Sequence, residues 1–367
     1  MIDKLFIFAN MGHLDELPKS GGQSSARRVI KGLQESGFEI VPIRRHRAEM
    51  EGKWKHQLEI MTFAFIDLLK IVTKMMFGKR QNAAFLHLTY AGPLVPYELL
   101  LTRIVKFMGY KCYIYLKGGQ VLDYYKNGSK QHRSMFKKVM DLQEKVFFEG
   151  KESLKLVERI SKTPLVFFPN YVFDNQIPTK MPTKPKDNIG LLYFGRIAPN
   201  KNIDIILDVF EILCKKHDNL SLIMIGGIGQ SKAYAEKIDY RISKSPYKTK
   251  ITRMGLTSFE EIKKIMQTQH FFIFPSKEKA EGHSNSLNEA MSQGLIPIVS
   301  DYHFNRSIVG DERLIVDGFD ADQYAKKIER IINDGSFYSI SEQMWLRVKN
   351  NYTGTIVLEK IKQELNN

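Results

Sequence analysis

The chain has little cysteine. Its two residues of that kind, Cys112 and Cys214, stand in different halves of a 367-residue sequence, which excludes a disulfide-stapled scaffold and points to a reducing compartment. No cluster of His, Cys, Asp and Glu shows metal-ligand spacing, so no metal or other cofactor is expected. Uninterrupted apolar runs of membrane-spanning length are also missing: the apolar, helix-like stretch Leu58 to Phe77 is broken by Asp67, Lys70 and Lys74. The amino terminus, Met1 to Ala9, carries Asp3 and Lys4 in a short apolar run with no small-residue cleavage site. It reads as a first strand instead of an export signal, and the expected location is the cytoplasm.

Acidic residues are few for the number of basic ones. Against 55 Lys and Arg there are 40 Asp and Glu, a net charge of +15, and the partners that such an excess suits are nucleic acid, anionic lipid or a phosphorylated substrate. No zinc-finger, RNP-like or KH-like pattern is present, and the lysines do not interleave with aromatics, so nucleic acid is not expected. Around the Leu58 to Phe77 stretch the charge is concentrated: Arg44, Arg45, Arg47, Lys53 and Lys55 precede it, and Lys79 and Arg80 follow. Two readings stay open, an interfacial helix on an anionic bilayer and an amphipathic helix packed on its own sheet.

What is present is ordinary globular material, 43% hydrophobic and 26% charged, in a length that suggests two cores. Strand-like and helix-like segments alternate throughout. Strands are expected near Leu5–Ala9, Glu39–Ile43, Ala84–Leu88, Lys111–Leu116, Lys145–Phe148 and Leu165–Phe168, then near Gly190–Phe194, Leu222–Ile225, Lys250–Arg253, Phe271–Phe274, Ile296–Val299 and Arg313–Val316. Repeated βα units imply parallel sheets with right-handed crossovers. The fold class is therefore α/β with two Rossmann-like, doubly wound domains facing across a cleft: residues 1–170, a Pro- and Lys-rich linker 171–188, residues 189–340, and a helix in 341–367 returning to the first domain.

The richest stretch runs from Phe274 to Asp301. An apolar strand ends at Phe274, Glu281 follows in a loop, a helical segment starts near Ser286 and contains Glu289, and Gly294 with Pro297 closes it. On one continuous helix the eight-residue spacing of Glu281 and Glu289 would set them roughly 12 Å apart. With Glu281 in the loop and Glu289 in the first helical turn, both can point into the crevice at the strand ends. Their separation suits a ligand with a polyol at each end, such as a nucleotide sugar, with backbone amides from Ser284 to Leu287 facing its diphosphate. The alternative is a capping box, Ser286-Leu-Asn-Glu289, in which Glu289 only satisfies a backbone donor.

Three other places lie at strand ends. Ser20-Gly21-Gly22-Gln23 opens a helix, and its glycines allow backbone amides to approach a phosphate. Gly195-Arg196 and Lys201 place two cations after a strand, where they can neutralise a diphosphate. Gly226-Gly227-Ile-Gly229 is a glycine-rich strand end without the acidic residue that a dinucleotide fingerprint requires.

Taken in order, Pro-Ser, Glu281-Gly282, Glu289-Ala-Met, Gly294 and Pro297 through Ser-Asp301 resemble the EX7E region of family 4 of the retaining glycosyltransferases, and Gly195-Arg196 with Lys201 resembles that family's GR-x4-K element. The likeness is clear from about residue 189 to 320 and diffuse before 170. It implies the GT-B architecture and transfer of a hexose or N-acetylhexosamine, with retention and without a metal, from a nucleotide-diphosphate sugar, most simply a UDP-sugar. By position, it implies that Arg196 and Lys201 hold the donor diphosphate, Glu281 the transferred sugar and Glu289 the ribose. Gly282, His283, Ser284, Asn285, Ser286 and Leu287 would line the donor with backbone groups, Gly195 would shape the cation loop, and Gly21 and Gly22 would approach the phosphate. One departure stands out: where members of the family carry a histidine, Tyr115-Leu-Lys117-Gly118-Gly119 has Lys117. Acceptor-side candidates are His87, Lys117 and Gly118. The resemblance and the charge together suggest a glycan or polyprenyl-diphosphate-linked acceptor in bacterial surface-polysaccharide assembly, such as capsule or lipopolysaccharide, at the cytoplasmic face of the membrane. Alternatives are a sugar-nucleotide epimerase or phosphorylase of the same architecture, and a basic nucleic-acid-binding protein.

Overall fold

Strands such as Ala83–Thr89, Phe271–Phe274 and Ile296–Ser300 are buried at every position, the signature of a parallel sheet covered by helices on both faces. The structure, a computed structural model, describes residues 1–16, 18, 20–47, 53–78, 81–89, 92, 94–228 and 232–367. Lys79, Arg80 and Gly229 therefore lie outside the described residues, as does the side chain of Lys53.

The chain divides into two units, one of Met1–Asn170 with Thr355–Asn367 and one of Tyr171–Gly354. The first contains β1 (Lys4–Ala9), α1 (Gly21–Glu35), β2 (Glu39–Arg44), α2 (Lys53–Met76), β3 (Ala83–Thr89), α3 (Val95–Phe107), β4 (Lys111–Leu116), α4 (Gln120–Asn127), α5 (Lys130–Asp141), β5 (Lys145–Phe148), α6 (Lys151–Ile160) and β6 (Leu165–Phe167). Its six-stranded parallel sheet has the order β2-β1-β3-β4-β5-β6. Apolar side chains fill both faces. Phe6, Phe8, Phe85, Ile71 and Met75 pack under α2 and α3, while Ile114, Phe148, Phe136 and Val157 pack under α5 and α6.

The second unit contains β7 (Ile189–Phe194), α7 (Ile203–Cys214), β8 (Leu220–Ile225), α8 (Lys232–Lys244), β9 (Ile251–Met254), α9 (Phe259–Thr268), β10 (Phe271–Phe274), α10 (Asn285–Ser292), β11 (Ile296–Ser300), α11 (Asn305–Val309), β12 (Ile315–Val316), α12 (Ala321–Asp334) and α13 (Phe337–Asn351). The helix α14 (Gly354–Asn366) follows. Strand order here is β12-β11-β10-β7-β8-β9, all parallel. The direction of progression reverses between β7 and β10, and the crevice beyond the carboxyl ends at such a switch point is where doubly wound sheets bind ligands.

Two boundaries differ from the sequence expectation. Residues 171–188 belong to the second unit and are held to it: Lys184 donates to the carbonyls of Met266 (2.8 Å) and Gln293 (2.9 Å), and the Trp345 indole donates to Pro178 (3.3 Å). The stretch 341–367 is two helices instead of one. Val172 donates to the Tyr352 carbonyl (2.9 Å) and accepts from the Gly354 amide (2.8 Å), forming a bridge with Thr353 that pulls the backbone out of helical geometry. Cys112 and Cys214 are both free and buried.

Candidate functional site

The two loops that the sequence singled out in the second unit are neighbours because β7 and β10 are neighbours. Arg196 and Lys201 lie just beyond the end of β7, and Ser276, Glu278 and Glu281 just beyond the end of β10. Lys201 forms an ion pair with Glu281 and donates to Ser276 Oγ (3.3 Å), which itself donates to the same Glu281 carboxylate (2.9 Å). The Lys201 ammonium also sits over the Phe274 ring, 5.5 Å from its centroid. Arg196 pairs with Glu278 at 2.8 Å, and Asn200 donates to that carboxylate as well.

Local geometry fixes these loops. Asn202, the residue after Lys201, has left-handed backbone angles (φ 51°), which Asn tolerates better than most residues. Its side-chain amide donates to the Pro275 carbonyl at 2.8 Å, tying the β7 loop to the β10 loop. Ser300 Oγ, from β11, donates to the Ser276 carbonyl (2.7 Å). Beneath the loop, Tyr193 donates its hydroxyl to the Arg196 carbonyl (2.8 Å). Burial first, and the nearby Glu281 charge second, hold that phenol well above its ordinary pKa, so the donor stays protonated.

Glycine is required where β7 and β8 end. At Gly226 (φ 150°) an added Cβ would lie 1.8 Å from the Gly195 carbonyl oxygen, and at Gly195 (φ 155°) it would lie 2.9 Å from the Tyr193 hydroxyl. The cation loop can take its path only because both side chains are absent.

Beyond Glu281, the helix α10 begins earlier than the sequence suggested. Ser284, not Ser286, is the N-cap, and its hydroxyl accepts from the Leu287 amide (3.4 Å). Glu289 thereby falls in the second turn, two positions past the third helical residue that a capping box requires, and the capping-box alternative is overturned. The Leu287 amide, expected among the ligand donors, is used by the cap. Gly282, Asn285 and Ser286 are half-buried, while Glu289 is buried. His283 is turned inward: its ring meets Tyr352 edge-on at 4.9 Å, and its Nδ1 lies 3.2 Å from the Asn288 amide.

Two cations and two carboxylates thus converge at the switch point, next to the amino-terminal end of an eight-residue helix. Opposed charge at this position is suited to a ligand carrying both a diphosphate and hydroxyl groups. Residues 174–345 match the family described as glycosyl transferases group 1. The match takes in most of the second unit, and to that extent the chain is similar to the glycosyl transferases group 1.

The chain also resembles named glycosyltransferases over part of its length. It is 23% identical to the capsular polysaccharide biosynthesis glycosyltransferase CapM of Staphylococcus aureus over 53% of this chain and 50% of that protein. It is 31% identical to a GDP-mannose:cellobiosyl-diphosphopolyprenol alpha-mannosyltransferase of Xanthomonas oryzae over 30% of this chain and 28% of that one. The matched region spans about half the length of the first relative and less of the second. Among solved structures, sucrose-phosphate synthase of Thermosynechococcus elongatus superposes with a TM-score of 0.77 at 14% identity, covering 99% of this chain and 98% of that one. Anabaena HepE, solved with UDP-glucose, gives 0.71 at 11% identity with 99% of both chains covered. The architecture is GT-B.

In the first unit, the expected residues divide. Gly21 and Gly22 are the first two residues of α1, behind the N-cap Ser20, whose hydroxyl accepts from the Gln23 amide (3.3 Å). His87 and Lys117 are both buried. His87 lies in the core between the Phe8 and Phe85 rings, and burial, with the Arg45 charge second, holds its pKa well below the ordinary value. Lys117 is turned into the protein, 2.7 Å from Glu149 Oε2, 2.7 Å from Ser25 Oγ, 3.1 Å from Asn170 Oδ1 and 3.2 Å from the Tyr115 hydroxyl. Gly118, at φ 78°, donates its amide to the other oxygen of Glu149. Lys117 and Gly118 thus both hold the Glu149 carboxylate. Sequence reasoning missed Ser276, Glu278, Asn200 and Asn202; only the Asn202-after-Lys201 position carried a signal, as a turn-compatible residue preceding a helix.

Proposed function

We propose that the chain transfers a hexose or N-acetylhexosamine, with retention at the anomeric carbon, from a nucleotide-diphosphate sugar to a glycan or polyprenyl-diphosphate-linked acceptor in bacterial surface-polysaccharide assembly. The observation that carries this is the meeting of Arg196, Lys201 and Glu281 at the switch point between β7 and β10. Transfer builds positive charge on the sugar ring and negative charge on the leaving diphosphate, so cations already fixed at that point act where stabilisation is needed. Arg196 and Lys201 take the diphosphate and supply its counter-charge without a metal ion. Glu281 accepts hydroxyl donors of the transferred sugar, and Glu289 those of the ribose. Backbone groups from Gly282 to Ser286 border the donor. The acceptor hydroxyl attacks on the face the diphosphate leaves, and the departing phosphate oxygen assists its deprotonation.

Names of the relatives support the pathway and divide on the base. CapM and an O-antigen chain mannosyltransferase place their reactions in capsule and O-antigen assembly, and the polyprenol-linked relative uses GDP-mannose. HepE was solved with UDP-glucose. Uridine is the base proposed here, and guanosine is the second reading that the mannosyltransferase names favour. A cytoplasmic enzyme at the inner face of the membrane fits an acceptor of this kind.

Thermal shift with matched UDP- and GDP-sugars tests the donor, and NMR of the product's anomeric proton with EDTA present tests retention and metal independence. Stabilisation by neither nucleotide diphosphate overturns the proposal. Conversion or phosphorolysis of the donor with no acceptor present would instead identify an epimerase or phosphorylase, and steeply salt-dependent capture of polynucleotide would identify a nucleic-acid-binding protein.

A further inference from the structure

We infer that α2 is a docking surface for an anionic lipid bilayer, with its axis along the surface. This deepens the lipid-linked-acceptor part of the function proposed above by naming the face that meets the membrane. One side of α2 is structural: Ile71 and Met75 are fully buried in the core beneath it. Another side is apolar and uncovered. Trp54 (85% exposed), Leu58 (67%), Met61 (71%), Phe65 (62%), Leu69 (49%) and Met76 (60%) recur at steps of three and four, with a single seven-residue step. At about 100° per residue they fall within roughly 80° of helical arc. Phe77, just past the helix, is 90% exposed. Next to α2, where the Tyr110 hydroxyl donates to the Met75 carbonyl (2.6 Å), α3 adds exposed Leu100 and Phe107 on one of its own faces.

Scattered apolar residues on a surface need no explanation, but a continuous stripe of this size marks an interaction face. Charge identifies what meets it. From Arg44 to Arg80 the sequence holds nine Lys and Arg against four Asp and Glu. Arg47, Lys55, Lys70 and Lys74 are exposed. On the helix itself the two acids are withdrawn: Glu59 is half-buried, and Asp67 is buried in a pair with His46, whose backbone amide also donates to it (3.0 Å). An apolar stripe with a cationic border matches the acyl boundary and head groups of an anionic leaflet. A second copy of the chain would bring the same positive charge against itself. No helix among the described residues is long and apolar enough to cross a membrane, so α2 lies on the bilayer and does not span it.

Flotation of the purified full chain with phosphatidylcholine vesicles, with and without about one-third phosphatidylglycerol, tests this against Leu58→Glu/Phe65→Glu, both at exposed positions. The expected result is binding to the anionic vesicles only, reduced at least about tenfold in the double variant, while the variant's thermal stabilisation by nucleotide diphosphate is unchanged. Failure of the wild-type chain to float with anionic vesicles overturns the inference, as does equal flotation of the variant. A wild-type dimer that becomes monomeric in the variant also overturns it, since the stripe would then cover a second copy. Flotation as expected with no stabilisation by any nucleotide leaves the docking face standing and removes the transferase proposal.

Discussion

Lys201 and Glu281 form an ion pair although eighty residues separate them in the chain. The pair exists because β7 and β10 lie side by side at the switch point of the second sheet, and Ser276 Oγ bonds to both partners. Each side chain is thereby held in place before any ligand arrives. Replacing Lys201 or Glu281 by Ala is expected to lower the rate of glycosyl transfer at least about a hundredfold. Initial rates on purified variants, with circular dichroism melts to verify folding, check this. Because the two act as a unit, the double variant should fall far short of the product of the single losses. Near-normal turnover in either single variant would remove both residues from the mechanism.

Glu278 gives a prediction of opposite sign. It holds Arg196 at 2.8 Å, so the two cations of the site are matched by two carboxylates, and in the function proposed above an incoming diphosphate would compete with Glu278 for the guanidinium. Glu278→Gln keeps a hydrogen-bond acceptor but removes one negative charge. Titration calorimetry should show nucleoside diphosphate binding several-fold tighter, by about three- to tenfold, with a steeper dependence on salt. Weaker binding would instead mean that the carboxylate is needed to aim Arg196.

The second unit was legible in its parts and not in its wiring. Runs of apolar residues ending in Gly195-Arg196 and in Pro275-Ser276 identify strands and their ends without reference to a fold. Which strand ends adjoin is a tertiary fact: β7 and β10 are third neighbours in sequence order and first neighbours in the sheet, so the Arg196–Glu278 and Lys201–Glu281 pairs could not be read from spacing. The cap of α10 lies two residues before the one the capping-box reading used, for a simple reason. Ser284 and Ser286 are equally able caps, and only the backbone geometry chooses between them. In the first unit, Lys117 carried no sign of its burial, because Ser25, Glu149 and Asn170 come from three separate segments.

Lys117 therefore yields a stability prediction in place of an activity one. Both it and Glu149 are almost wholly buried, and removing one member of such a pair leaves the other as an uncompensated charge. Lys117→Met is expected to cost about 3–5 kcal/mol of folding stability, measured by urea denaturation. A variant as stable as the wild type would show that Glu149 is readily protonated or rehydrated.

Lys184 makes stability depend on pH. Burial pushes its ammonium down to about 7 from the ordinary 10.5, while in the unfolded chain it keeps the ordinary value. Between about pH 7 and 10.5 the unfolded state thus binds a proton that the folded state has released. Its contribution must rise with pH across that window and be at its minimum below it, with a slope of at most about 1.4 kcal/mol per pH unit. Urea melts of the wild type and Lys184→Met at several pH values isolate the effect: the difference between them should shift in favour of the wild type as pH rises. A difference that stays flat from about pH 7 to 10 would mean that the buried ammonium does not titrate there.

The first sheet is assembled from segments far apart in time as well as in sequence. The Ile2 amide bonds to Asn366 Oδ1 (2.8 Å), and Lys145 reaches Glu364 (2.8 Å), so α14, which follows the second unit in the chain, completes a domain whose first strand precedes that unit. The downstream domain has all of its own residues in one continuous segment, while the upstream one cannot be sealed until the chain beyond that segment returns to it, so it cannot complete its fold first as vectorial folding usually has it. A chain truncated after Gly354 should consequently present a protease-resistant second domain alongside an incompletely sealed first one.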